Sequence, residues 1–390
     1  MSVAVIDVRE WQTTVDFATG DLIEADEHHL VKLAKEIIAK RYYPGDVDNR
    51  SINWVTDTAL DLAEAYQPDF LFLSYAQPHF YSLYQRFDPG KWEEICTTIF
   101  AEITRLVDLT GFTPVVVGLG DMVPLKERID LTGLDGLGVA TNWSFHYAGL
   151  YSPSQADLEQ LNSDPRIERV VSKERFSELF DGSQEFLRRF PDYLLVAREG
   201  YTFRGFASGM REISRIPAKN YQIPIYTPLG NVQRLVDIHA LLDQALPQRK
   251  VALILIEGIG QRDFRLPYQL IDNTEHWYIY ENSRDHYLTI TTGLHFQYGQ
   301  FPPGHLDHAK GPKYPYSGGF TALPQNTLGR KKGIKSAAVG TRNMITHVAA
   351  GADICIECFA RQLYNLGTIA IINDPKYFEG RDSPLKLAPA

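Results

Sequence analysis

The chain has 390 residues, 44% apolar, 12% aromatic and 22% charged, a balance that excludes a disordered or fibrous protein and allows a large buried core. Its 39 Lys and Arg against 48 Asp and Glu leave a formal charge of −9, which repels a phosphate backbone on average, so a nucleic-acid duplex is not an expected partner. The longest apolar runs, Phe70-Leu71-Phe72-Leu73 and residues 251–256, are strand-length and far short of the ~20 residues that cross a bilayer, so no membrane association is expected.

The start, Met1-Ser2-Val3-Ala4-Val5-Ile6-Asp7-Val8, lacks a basic segment and a long apolar stretch, and reads as a strand rather than a signal peptide. Three cysteines, an odd number, suit a reducing compartment, and a cytoplasmic location is expected. Leu30, Leu33, Ala34, Ile37 and Ile38 recur at helical spacing, as do Val55, Ala59, Leu62 and Ala63, the latter with Asn53 as a candidate cap. The clearest amphipathic helix spans residues 92–107, where Trp92, Ile95, Cys96, Ile99, Phe100, Ile103, Leu106 and Val107 share one face.

Short apolar runs at 70–73, 115–117, 193–196, 251–256 and 336–339 read as strands buried on both faces. Strands of this kind between helices predict an α/β fold, a three-layer α/β/α sandwich with a largely parallel central sheet. One domain over 1–390 accounts for the length, and Pro247-Gln248-Arg249-Lys250 is the best linker. In open α/β sheets ligands bind where strands end, which directs attention to three loops, 74–79, 118–122 and 257–260.

The third of these loops places Glu257 directly after a buried run and before Gly258 and Gly260, a common position for a metal ligand. Thr289, Gly299, Pro302 and His305 follow with the spacing T-x9-G-x2-P-x2-H. Strand, acid, glycine and this spacing together resemble the start of the alkaline phosphatase superfamily, in its type I phosphodiesterase and nucleotide pyrophosphatase branch. The resemblance implies an alkaline phosphatase-like fold, a divalent metal on Glu257 and a nucleophilic hydroxyl on Thr289. Segments similar to later parts of the family, 53–60, 68–75, 169–171, 191–203 and 236–239, precede the motif here. The chain therefore resembles a circular permutant, with 1–246 matching the family's later part and 247–390 its nucleophile-bearing start.

The family's Asp-x3-His is represented by His79-Phe80-Tyr81-Ser82-Leu83, and its Asp-His-Gly by Gly118-Leu119-Gly120-Asp121. A two-metal site cannot be assembled from those residues. Glu257, His79, Asp121 and His239 remain as candidates for one mixed N/O site suited to Zn or Mn. Lys310, Lys313 and Tyr314 form a basic, aromatic loop able to receive a phosphate and stack a base. The expected function is metal-dependent hydrolysis of a phosphate mono- or diester through Thr289, on a small phosphorylated or nucleotide ligand. The alternative is a noncatalytic descendant serving as a ligand-binding or assembly subunit, with a homo-oligomer compatible with either. Cys355-x2-Cys358, flanked by Ile354, Ile356 and Phe359, reads as a buried strand and not as half of a zinc or redox motif.

Overall fold

A computed structural model describes residues 4–7, 14–15, 22–23, 32–33, 36–37, 39–41, 43–45, 47–141, 144–180, 190–204, 213–281, 283–293, 295, 334–340, 354–357 and 369–371. The chain is mixed α/β with several sheets. The largest sheet contains β1 (Ala4–Asp7), β2 (Phe70–Tyr75), β3 (Thr113–Gly118), β4 (Gln222–Tyr226), β5 (Val251–Ile256), β6 (Gln269–Asp272), β7 (Ser336–Gly340) and β8 (Ile354–Glu357). Its spatial order is β1-β8-β7-β2-β5-β3-β4-β6. Neighbours from β1 to β3 run parallel, and β4 and β6 join antiparallel. Val251 of β5 lies opposite Phe70 on one side and Thr113 on the other, and Ile256 opposite Tyr75 and Gly118.

Every residue of β2 and β5 is buried, which is why both read as unbroken apolar runs. Side chains of a strand alternate between faces, so each run feeds two cores. Leu71, Leu73, Ala252, Ile254 and Ile256 pack with Trp54, Val55 and Leu62 of α1 (Arg50–Ala65) and with Ile95, Ile99 and Ile103. The other set, Phe70, Phe72, Val251, Leu253 and Leu255, packs with Ile238, Leu242, Tyr287 and Ile290. Between α1 and the next long helix lies a short one, α2 (Gln77–Tyr84), directly after β2. Ile95, Ile99 and Ile103 belong to α3 (Pro89–Thr110), Ile238 and Leu242 to α4 (Ile238–Ala245), and Tyr287 and Ile290 to α5 (Ser283–Thr292).

Helix α3 outruns its apolar stripe because both ends are chemically fixed. Asp88 accepts from Lys91 N, Pro89 opens the first turn, and Gly111 at φ +67° closes the last. Helix α1 begins at Arg50, so Asn53 is an exposed residue within it and not its cap. The capping position belongs to Asn49, whose Oδ1 instead accepts from Gln77 Nε2 at 2.8 Å. Of the stretch 30–38, residues 32–33 and 36–37 are described and are helical.

The run at 193–196 is a strand, Tyr193–Ala197, but it belongs to a second sheet. There it pairs antiparallel with Ile167–Ser172 and Tyr147–Tyr151, and the sheet continues through Leu137–Thr141 to Ile369–Ile371. Leu195 and Ala197 face one core with Leu150 and Ile167, while Leu194 and Val196 face another with Phe176 and Phe190. Burial on both faces produces the same apolar run in either kind of sheet. Among the described residues no helix is long and apolar enough to cross a membrane.

Candidate functional site at the carboxyl ends of the central strands

Strands β2, β5 and β3 are adjacent and parallel, so the segments leaving their carboxyl ends emerge side by side. Backbone bonds join them: Glu257 N donates to Tyr75 O at 2.9 Å, Leu119 N to Ile256 O at 2.9 Å and Gly120 N to Ile259 O at 3.2 Å. The glycines permit this closeness. Gly258 adopts φ +83°, and a Cβ there would lie 2.8 Å from His79 N. A Cβ on Gly260 would lie 2.4 Å from Asp121 N. The fold therefore brings the segments bearing Glu257, His79 and Asp121 to one edge.

The side chains at that edge are engaged separately. Glu257 is 2% exposed, and its Oε1 accepts from Tyr287 Oη at 2.9 Å and from Ser74 Oγ at 3.4 Å. The two hydroxyls are themselves 2.5 Å apart, and with one hydrogen each they make two of these three bonds at a time within a buried hydroxyl–carboxylate cluster. His79 is buried with its ring edge-on to Phe80 and Phe145, at centroid distances of 5.7 and 6.2 Å. Asp121 pairs with Arg262, Oδ2 to Nε 3.3 Å, and its backbone N donates to Asn220 Oδ1 at 2.9 Å.

His239 and Thr289 lie on helices α4 and α5. His239, in the first turn of α4, has Nδ1 2.9 Å from Thr291 O, and Gly293 abuts its ring: a Cβ there would fall 2.8 Å from Cδ2. This histidine ties α4 to the end of α5. Thr289 is 0% exposed within α5, and its Oγ1 makes no hydrogen bond. Tyr287, two residues earlier, supplies the hydroxyl that reaches Glu257; a step of two turns the helix by about 200° and points Thr289 away from that side.

Comparisons of the chain with protein-family models, with curated proteins and with solved structures find no match.

The cation expected at Glu257, His79, Asp121 and His239 does not fit the donors as they stand. Among the described residues no group of three or more His, Cys, Asp and Glu side chains is placed to hold a metal ion. Glu257 is met by two hydroxyls and Asp121 by a guanidinium. His305, Lys310, Lys313 and Tyr314 lie outside the described residues. So does Cys358, while Cys355 falls in β8.

Two further polar constellations carry no signal in the sequence. Glu281 accepts from Ser144 Oγ, Phe145 N and His146 N at 2.8 Å each, and lies 2.6 Å from His146 Nδ1. Tyr280 Oη lies 2.5 Å from His295 Nδ1, whose Nε2 lies 2.6 Å from Glu275 Oε2. Burial lowers the proton affinity of His295, against the pull of Glu275. With its proton on Nε2, the imidazole would accept from the tyrosine and donate to the carboxylate. No local spacing signals either group, because each joins residues from separate elements. Ser74 and Tyr287 carried a weak signal: Ser74 is the polar residue in the run of β2, and Tyr287 precedes Thr289 on one helix.

Proposed function

We propose that this chain is a noncatalytic relative of the alkaline phosphatase fold, cytoplasmic, that binds a small phosphorylated ligand at the strand-end edge. The three-layer α/β/α arrangement and the permuted order belong to this proposal. They are supported by the position of β5 beside β2 and by the two cores that helices build on opposite faces of those strands. The noncatalytic part rests on one observation above the rest: Thr289 Oγ1 is enclosed in α5 without a partner. A nucleophile must come within about 3.5 Å of the phosphorus and be activated by a base or a cation. The enclosed hydroxyl lacks access, and among the described residues no side-chain base is bonded to it. The cluster at Glu257 supports the same view, since the Tyr287 and Ser74 hydroxyls both lie against Oε1, the oxygen whose lone pair a cation would need.

The metal-dependent hydrolase is the second reading, favoured by the approach of the Glu257, His79 and Asp121 segments at Gly258 and Gly260. One experiment separates them. The chain, with and without added Zn²⁺ or Mn²⁺, is incubated with p-nitrophenyl phosphate and bis-p-nitrophenyl phosphate. The noncatalytic reading expects release no faster than in buffer, and the same from Thr289→Ala. Metal-dependent release that Thr289→Ala abolishes would establish the hydrolase.

A further inference from the structure

One face of α1 lines a cleft. Arg50, Asn53, Trp54 and Asp57 follow one another at steps of three and four residues, so they share a stripe about 10 Å long on the helix. With Arg41 and Pro44 from the segment before the helix, they enclose a cleft of about 400 Å³, a size that suits a small molecule. The two walls are tied together by the protein itself. Trp54 Nε1 donates to Arg41 O at 3.4 Å, Tyr43 meets the Trp54 ring edge-on at 5.0 Å, and Arg41 pairs with Asp57, Nε to Oδ2 3.4 Å, and with Asp61. The shape of the cleft is therefore set without a ligand, which lowers the ordering cost of binding one.

The charges at the cleft are already balanced. Arg41 pairs with Asp57 and Asp61, Arg50 with Asp48, and Arg105, which reaches Asp57 from α3, also with Glu102. An anion would have to compete with these carboxylates, so the electrostatics favour a neutral ligand. Hydrogen-bonding capacity of both kinds is left over. Nε and Nη2 of Arg50 engage Asp48, and Nη1 of this 79% exposed side chain bonds to none of the described residues. Asn53 is exposed and contributes an amide with two donors and an acceptor. Asp57 gives Oδ1 to Arg105 Nη2 at 2.6 Å and Oδ2 to Arg41, and its two oxygens have further lone pairs. Trp54, 3% exposed, and Pro44 supply the apolar part of the lining.

We infer that this cleft binds a small neutral polyhydroxylated ligand, a sugar or a cyclic polyol. Each hydroxyl of such a ligand is at once donor and acceptor, and neighbouring hydroxyls match donors and acceptors set side by side on a rigid wall, as Arg50, Asn53 and Asp57 are. None of these residues belongs to the strand-end edge, so the inference goes beyond the reading proposed above and stands without it.

The test is titration of the full chain with D-glucose, D-galactose, D-mannose and myo-inositol, read by saturation-transfer NMR on the ligand protons and by the indole N–H signal of Trp54, with inorganic phosphate as the anionic control. At least one of the four is expected to bind saturably and to shift the Trp54 signal. Asn53→Ala and Arg50→Ala should each weaken that binding roughly tenfold, the loss of one hydrogen bond. Both side chains are exposed, and a thermal melt of each variant checks that it is folded. Saturable binding of none of the four, or binding that both folded variants leave unchanged, overturns the inference. A Trp54 shift produced by phosphate and by none of the four polyols overturns it too, because the cleft would then be an anion site.

Discussion

At the scale of single residues, Thr289 and Tyr287 make opposite predictions from neighbouring positions on one helix. The Thr289 hydroxyl is buried without a partner, an arrangement that costs free energy and that Val, of nearly the same shape, relieves. Thr289→Val should leave stability unchanged or raise it by about 1 kcal/mol, read from urea denaturation. A loss above that size would mean that the hydroxyl is bonded. Tyr287→Phe removes the closer of the two hydroxyl donors to a carboxylate that is 2% exposed. It should cost about 1–3 kcal/mol, the penalty for leaving a buried acceptor short of a donor. The motif around Thr289 could be read in the sequence, but linear spacing does not say which way a helical side chain faces. The hydroxyl two positions earlier proved to be the one that meets Glu257.

At the scale of elements, the legible parts were those whose signal is local. Strand β5 is legible residue for residue, as a six-residue apolar run buried on both faces. Helix α3 was legible from its stripe, and its extra turns from Asp88, Pro89 and Gly111 are cap chemistry that the periodicity does not include. Strand Tyr193–Ala197 was legible as a strand but not as a member of the second sheet, because its partners, Ile167–Ser172 and Tyr147–Tyr151, are chosen by tertiary contacts. The helix Gln155–Ser163 offers a pH test. Asp157 is buried, which raises its pKa, but it accepts from Asp135 N, Gly136 N and Ser154 N, and these hold the pKa below the ordinary value of 3.8. Its contribution is then complete above that value and lost as pH falls through the lower, folded one. Asp157→Asn should destabilise the protein at pH 7 by roughly 1–3 kcal/mol and flatten the acid limb of a stability–pH curve below 3.8. An acid limb unchanged by the substitution would show that Asp157 does not set the acid stability.

At the scale of the molecule, the segment between β6 and α5 joins the two sheets. Tyr278 stacks on Tyr147 at 4.6 Å, Ile279 N donates to Tyr147 Oη at 2.8 Å, and Glu281 gathers two backbone N–H groups, the Ser144 hydroxyl and the His146 ring. Replacing Glu281 by Gln puts an amide N–H against donors. It should cost roughly 3 kcal/mol in chemical denaturation, well above the cost of an exposed Glu→Gln change. That buried carboxylate and the one at Glu257 follow the same rule: each is satisfied by protein donors brought from distant parts of the chain. The most direct measurement of this is the metal content of protein purified without chelator and then dialysed against Zn²⁺ or Mn²⁺. Well under one equivalent bound per chain is expected, with no change in Glu257→Gln; one tightly held equivalent that Glu257→Gln releases would show that Glu257 is a metal ligand after all.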